Sequence, residues 1–141
     1  ATNVATKSDV PVLVFNLEMN KVQLTDRMIC SKCLIDARKY RDGRLEDNDW
    51  QRLASGVSEL SGAKIFIDDN DFLTISDIRT RCREMHMKEH IGLIIIDYLQ
   101  LITPSQGKNS REQEVAEISR TLKLIAKELD VPIIALSQLS R

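Results

Sequence analysis

Four short apolar runs constrain this chain more than any other feature of its sequence. They are Val12 to Leu17 (VLVFNL, after Pro11), Ile65 to Ile67 (IFI), Leu93 to Ile96 (LIII, ending at Asp97) and Val131 to Leu136 (VPIIAL). Each is of strand length and rich in β-branched residues, and polar or turn-forming residues flank them. None alternates apolar with polar. Successive apolar residues predict strands buried on both faces, as in a parallel sheet covered by helices. Between the runs the period becomes that of a helix. Val115, Ile118, Leu122, Ile125 and Leu129 fall at steps of 3, 4, 3 and 4, one apolar face over four turns. Ser110 and Gln113 form a capping box ahead of that stripe. Ile75, Ile78, Cys82 and Met85 repeat the pattern, with Thr74 as N-cap and Asp77 at N3. Lys21 to about Ala37 and Asp47 to about Ser61 are expected as two more helices, joined by the turn at Arg41 to Gly43. The order β-α-α-β-α-β-α-β implies an α/β fold, a parallel sheet flanked by helices with right-handed connections. No repeat, low-complexity segment or linker divides residues 1–141, so one domain is expected.

Composition narrows the function classes. Forty-three per cent of the 141 residues are hydrophobic, enough for a sizeable core. Twenty Lys and Arg against 21 Asp and Glu leave a net charge of −1. That balance excludes a strongly basic domain that holds nucleic acid by charge alone, and an acidic disordered tail. No apolar run approaches the ~20 residues of a membrane span, and the polar start ATNVATKSD does not read as a signal peptide. A soluble intracellular chain is expected. Three cysteines, an odd number, favour reduced thiols over a disulfide framework.

In an open parallel sheet, ligands bind beyond the carboxyl ends of the strands. Those ends carry Asn16, Leu17 and Glu18, then Asp68 and Asp69, then Asp97, and finally Ser137 and Gln138. Four aliphatics followed by Asp97 match the strand-plus-acid pattern with which P-loop nucleotidases hold Mg²⁺ near nucleotide phosphates. The same pattern arises where any buried strand meets solvent in an acid, so spacing alone leaves both roles open. Tyr98 follows instead of a second acid, so a base must come from elsewhere. Glu18, at the end of another strand, could polarise an attacking water, or favour the positive end of the next helix. Gln138, a neutral donor and acceptor, could bond a terminal phosphate or be an ordinary loop residue. Asp68 and Asp69 read as turn or capping acids.

Other clusters favour structural readings. Cys30 and Cys33 form C-x₂-C, and Cys82, His86 and His90 follow at steps of four. A zinc site from these would need two helices side by side, and Cys82 falls in an apolar stripe where a buried thiol is ordinary. Arg38, Lys39, Arg41 and Arg44, and Arg79, Arg81 and Arg83, read as solvated faces among neighbouring acids rather than phosphate contacts. One Trp, two Tyr and three Phe give no stacking platform for single strands. The polar segment Thr103 to Ser110 is expected to be a mobile loop beyond the Asp97 strand, open to a partner or DNA, and Arg141 stands just past Gln138.

Taken together, NLEM (Asn16 to Met19), IDYLQL (Ile96 to Leu101), EQEVAEISRTLKLIAKEL (Glu112 to Leu129) and ALSQLSR (Ala135 to Arg141) resemble the replicative DNA helicases of the DnaB type. DNDW (Asp47 to Trp50) and IFIDD (Ile65 to Asp69) fit as well, so the resemblance runs along nearly the whole chain in order. It implies a RecA-like motor domain from a ring-shaped homo-hexamer that uses ATP and Mg²⁺ to unwind duplex DNA. It further implies a single DNA strand through the ring, primase and a helicase loader as partners, and the cytoplasm of a bacterial or phage-infected cell, or a plastid, as the setting. On the resemblance, Glu18 is the catalytic glutamate, Asp97 the Mg²⁺-associated acid and Gln138 the γ-phosphate sensor. A phosphate loop G-x-x-x-x-G-K-[ST] is not among these residues: the glycines stand at 43, 56, 62, 92 and 107. The family places that loop just before the first strand seen here, so residues 1–8 resemble the tail of the following helix. An internal, incomplete piece of the motor domain is therefore expected, with little ATPase activity by itself. Another RecA-like ATPase, such as a recombinase or clamp-loading relative, and a non-catalytic scaffold of the same fold are the competing readings.

Overall fold

A computed structural model of the chain describes residues 1–103 and 110–138. Most of the expected loop between Thr103 and Ser110, and Arg141, lie outside the described residues. Four parallel strands, β1 (Val12–Asn16), β2 (Ile65–Asp68), β3 (Leu93–Asp97) and β4 (Ile133–Ala135), form one sheet in the order β2-β1-β3-β4. The helices are α1 (Thr2–Lys7), α2 (Lys21–Cys33), α3 (Ala37–Arg41), α4 (Asp47–Ser61), α5 (Ile75–Glu89) and α6 (Arg111–Leu129). A short 3₁₀ turn, Leu99–Leu101, follows β3.

The unbroken apolar runs are explained by two cores, one on each face of the sheet. Side chains of a strand alternate between faces. Leu13 and Phe15 of β1 therefore pack with Ile78 and Cys82 of α5 and Ile118, Leu122 and Ile125 of α6. Val12 and Val14 pack on the other face with Ala5 of α1, Leu24 of α2 and Leu93 of β3. All five residues of β1 are buried. Burial on both faces is not general, however. The outer strands β2 and β4 are only partly covered, and Ile134 and Leu136 are about half exposed.

Helix boundaries follow local chemistry. Thr74 accepts a bond from the Asp77 N–H while the Asp77 carboxylate accepts from the Thr74 N–H, closing the capping box on α5. Ser110 and Gln113 do the same for α6. One expected helix, Lys21 to about Ala37, stops early at Cys33, and a separate helix not expected from the sequence, α3, begins at Ala37. Leu34 takes the left-handed conformation (φ 53°) and ends α2. Asp36 then caps α3, its carboxylate accepting from the N–H groups of Arg38 and Lys39 at 2.8 and 3.0 Å. An Asp two residues after a helix stop is an N-cap signal that apolar spacing overruns. Expected β4 also shortens, from Val131–Leu136 to Ile133–Ala135. Pro132, with no N–H to give the ladder, precedes its start.

Candidate active-site cleft

β1 and β3 run side by side with Asn16 opposite Asp97. The Leu17 N–H donates to the Asp97 carbonyl at 2.9 Å, carrying the ladder one residue past the strand. The chain then turns. The Asn16 side-chain amide donates to the Met19 carbonyl at 2.6 Å, and Asn20 caps α2 by accepting from the Gln23 N–H at 2.9 Å. Glu18 stands between these anchors with its side chain exposed. On the opposite flank, Leu136 donates to the Ile96 carbonyl and accepts from the Leu99 N–H, both at 2.9 Å. Ser137 and Gln138 are thereby led past the end of β3.

The outcome is one cleft of about 280 Å³ lined by Glu18, Asp97, Tyr98, Leu136, Ser137 and Gln138. The three residues singled out in the sequence, which stand at or just past the ends of three different strands, share it. An exposed carboxylate, a half-buried carboxylate and an amide on one opening can receive a water, a divalent cation and a phosphate oxygen. Mg²⁺ ordinarily takes one or two carboxylates, keeps several waters and shares its remaining positions with phosphate. Asp97 at the mouth of an open cleft, with Glu18 in the same lining, fits that requirement.

A larger hollow, about 820 Å³, lies along β2 and α5. Its three aspartates are already engaged, and of its acids only Glu84, on α5 away from the strand ends, has no such partner among the described residues. Asp69 accepts from the Lys21 N–H at 2.9 Å, capping α2 from a neighbouring element. Burial would raise the Asp68 carboxyl, but hydrogen bonds from Asn70 and Arg81 outweigh it and hold the group below its ordinary value. Asp77 belongs to the α5 capping box. The chemistry therefore points to the smaller cleft.

Several residues of the remaining clusters have structural partners. Arg79 and Arg83 of α5 both pair with Glu128 of α6, and Arg81 pairs with Asp68. Lys39 pairs with Glu46 at 2.8 Å. Cys30 and Cys33 lie on α2 and Cys82 on α5, helices on opposite faces of the sheet. Among the described residues no three His, Cys, Asp or Glu side chains are grouped to hold a metal. The His86 ring donates from Nδ1 to the Ile91 carbonyl at 3.0 Å.

In the sequence Asn16 stands out only as a strand end. It is a buried polar residue that shapes the Glu18 turn, and its Oδ1 has no partner among the described residues. A single polar residue inside VLVFNL was the available signal. Tyr98 and Leu136 also line the cleft without having been singled out for it.

Comparison with known proteins agrees with this architecture. The family described as the DnaB-like helicase C-terminal domain matches residues 1–141. A replicative DNA helicase DnaB of Geobacillus stearothermophilus is 50% identical over 142 residues, covering 100% of this chain and 31% of that protein. Among solved structures, one described as an ATPase domain superposes with a TM-score of 0.92 at 36% identity, covering 100% of this chain and 51% of that one. A DnaB-like replicative helicase studied with its interactions with primase gives a TM-score of 0.89 at 36% identity, covering 96% and 33%. The chain thus spans about a third or less of the length of the curated relatives it matches.

Proposed function

The chain belongs to the DnaB-like helicase C-terminal domain family, and on that premise we propose that it is part of the ATP-hydrolysing motor of a hexameric replicative helicase that unwinds duplex DNA. The convergence of Glu18, Asp97 and Gln138 on one cleft at the carboxyl edge of the sheet carries this reading. A parallel sheet offers its ligand site at that edge, and these are the side-chain types that phosphoryl transfer to water requires.

Asp97 would hold Mg²⁺, which when bound neutralises charge on the nucleotide's terminal phosphates. Glu18, on its exposed turn in the same cleft, accepts a hydrogen bond from the attacking water and draws off its proton as the bond to the terminal phosphorus forms and the bond from that phosphorus to the bridging oxygen breaks, releasing the nucleoside diphosphate. Gln138 offers an amide to a terminal phosphate oxygen and loses that partner when the phosphate leaves.

The assembly we propose is a homo-hexamer on a single DNA strand, with primase and a helicase loader as partners. The related helicase described with primase supports the first of these partners. The setting we propose is the cytoplasm, as a replicative helicase like the Geobacillus stearothermophilus relative would require access to the chromosome.

In the complete protein that carries this chain, Glu18→Gln is expected to lower ATP turnover by about two to four orders of magnitude. Nucleotide affinity should stay close to that of the parent, since the substitution keeps the side chain's size and removes only its basicity. Steady-state turnover together with equilibrium binding of a fluorescent ATP analogue measures both. Unchanged turnover would remove Glu18 from the mechanism and favour a non-catalytic scaffold.

A further inference from the structure

The ladder between β3 and β4 ends at Ala135, opposite Ile96. Beyond Asp97 the β3 chain turns into the Leu99–Leu101 turn, so no backbone remains to pair with the residues after Leu136. Gln100, within that turn, supplies the missing partner with its side chain. Its Nε2 donates to the Gln138 carbonyl at 3.1 Å and to the Ser137 hydroxyl at 2.9 Å. Its Oε1 accepts from the Gln138 N–H at 3.3 Å. A peptide N–H can only donate and a peptide carbonyl can only accept, so the orientation of the Gln100 amide is fixed by its neighbours. One side-chain amide thus grips both backbone groups of Gln138, as a neighbouring strand would. Two contacts fix rotation as well as position; a single contact fixes neither. The Gln100 carbonyl in turn accepts from the guanidinium of Arg111, the first residue of α6, and Arg111 pairs with Glu114 at 3.1 Å.

We infer that Gln100 is a positioning residue that locks Gln138 in place beside Asp97, and so sets the reach of the amide into the cleft. This rests on the reading of Gln138 as the residue that meets the terminal phosphate. The requirement is strict about side-chain type. Glutamate keeps the length but has no donor for the Gln138 carbonyl. Asparagine is one methylene short, and methionine matches the length with neither bond.

The test uses Gln100→Met, Gln100→Ala and Gln138→Ala, and the double variant of Gln100→Met with Gln138→Ala, all in the complete protein. Hydrogen exchange of the Leu136–Gln138 amides should quicken several-fold in both Gln100 variants. Their kcat for ATP should fall on the order of 10- to 100-fold, the scale of loss from a side chain displaced by about an ångström, with KM little changed. The double variant should turn over no more slowly than Gln138→Ala alone, because a mispositioned residue that is absent costs nothing further. Parent-like exchange, parent-like turnover in Gln100→Met, or a double variant slowed by the product of the two single effects would overturn the inference. Undiminished turnover in Gln138→Ala alone would instead overturn the reading of Gln138, and the exchange rates would still decide whether Gln100 holds that segment.

Discussion

Cys82 shows how a residue's surroundings set its chemistry. It has no measurable exposure, sits between α5 and the sheet, and burial pushes its thiol up to about 12. The unfolded chain releases that proton near pH 9 while the native protein keeps it, so the unfolded state binds fewer protons above pH 9. Stability contributed by the protonated thiol is therefore present below pH 9 and lost as the pH rises towards 12. Between pH 8 and pH 10 the loss from this group is expected to be about 1.4 kcal/mol. Urea unfolding at the two pH values, on the parent and on Cys82→Ala, isolates it. The variant is less stable at both, but its decline from pH 8 to pH 10 should be the shallower; equal declines would show that Cys82 is not the group responsible. Asp68 illustrates the opposite sign. Its carboxyl is held low by Asn70 and Arg81 against the effect of burial. Its contribution is present above the ordinary carboxylate range and fades as acid protonates it.

Among the elements, the α2–α4 contact depends on an absent side chain. Gly56 lies in the middle of α4, and a Cβ there would collide with the sulfur of Cys33 on α2. Alanine at this position would improve helix propensity by about 1 kcal/mol. Overpacking in a closed contact costs about 1–3 kcal/mol, so the collision outweighs the propensity gain. Gly56→Ala is thus expected to lower stability, and Cys33→Ala in the same chain to restore much of it by removing the obstructing sulfur. Thermal unfolding of the two single variants and the double variant measures the coupling. A stabilised Gly56→Ala, or strictly additive effects, would mean that the helices separate freely at this point. The break between α2 and α3 is a second case where chemistry prevails over periodicity. Leu34 in the left-handed region and the Asp36 cap end one helix and start another within three residues.

For the whole molecule, the sheet brings the site together while the sequence supplies only part of what ATP hydrolysis demands. The 141 residues contain Glu18, Asp97 and Gln138 but no G-x-x-x-x-G-K-[ST]. That loop's backbone N–H groups and lysine cradle the phosphates in P-loop enzymes. The purified 141-residue chain is therefore expected to hydrolyse ATP at most at a small fraction of the rate of the complete protein. A phosphate-release assay with both proteins side by side checks this. Turnover by the chain alone at the rate of the complete motor would show that another set of residues cradles the phosphates. A net charge of −1 gives this part of the protein no general basic field with which to hold a nucleic acid. The arginines of α5 are committed to Glu128 and Asp68.

Some of this was written in the sequence alone. Apolar runs of strand length, stripes at helical spacing and capping residues specified the parallel α/β fold, the starts of α5 and α6 and the residues at each strand end. Such features act over a few residues, through backbone sterics, local hydrogen bonds and the periodic burial of side chains. Strand order was not determined in this way. Only packing put β3 between β1 and β4, and those two neighbour relations bring Glu18, Asp97 and Gln138 to one cleft. Tertiary contact also decided which acids were free for chemistry, because Asp68 and Asp69 are taken by Arg81 and by the start of α2. It decided, too, that Gln100 meets Gln138, 38 residues away. No local pattern encodes such a pairing, since it depends on where two distant strands end relative to each other.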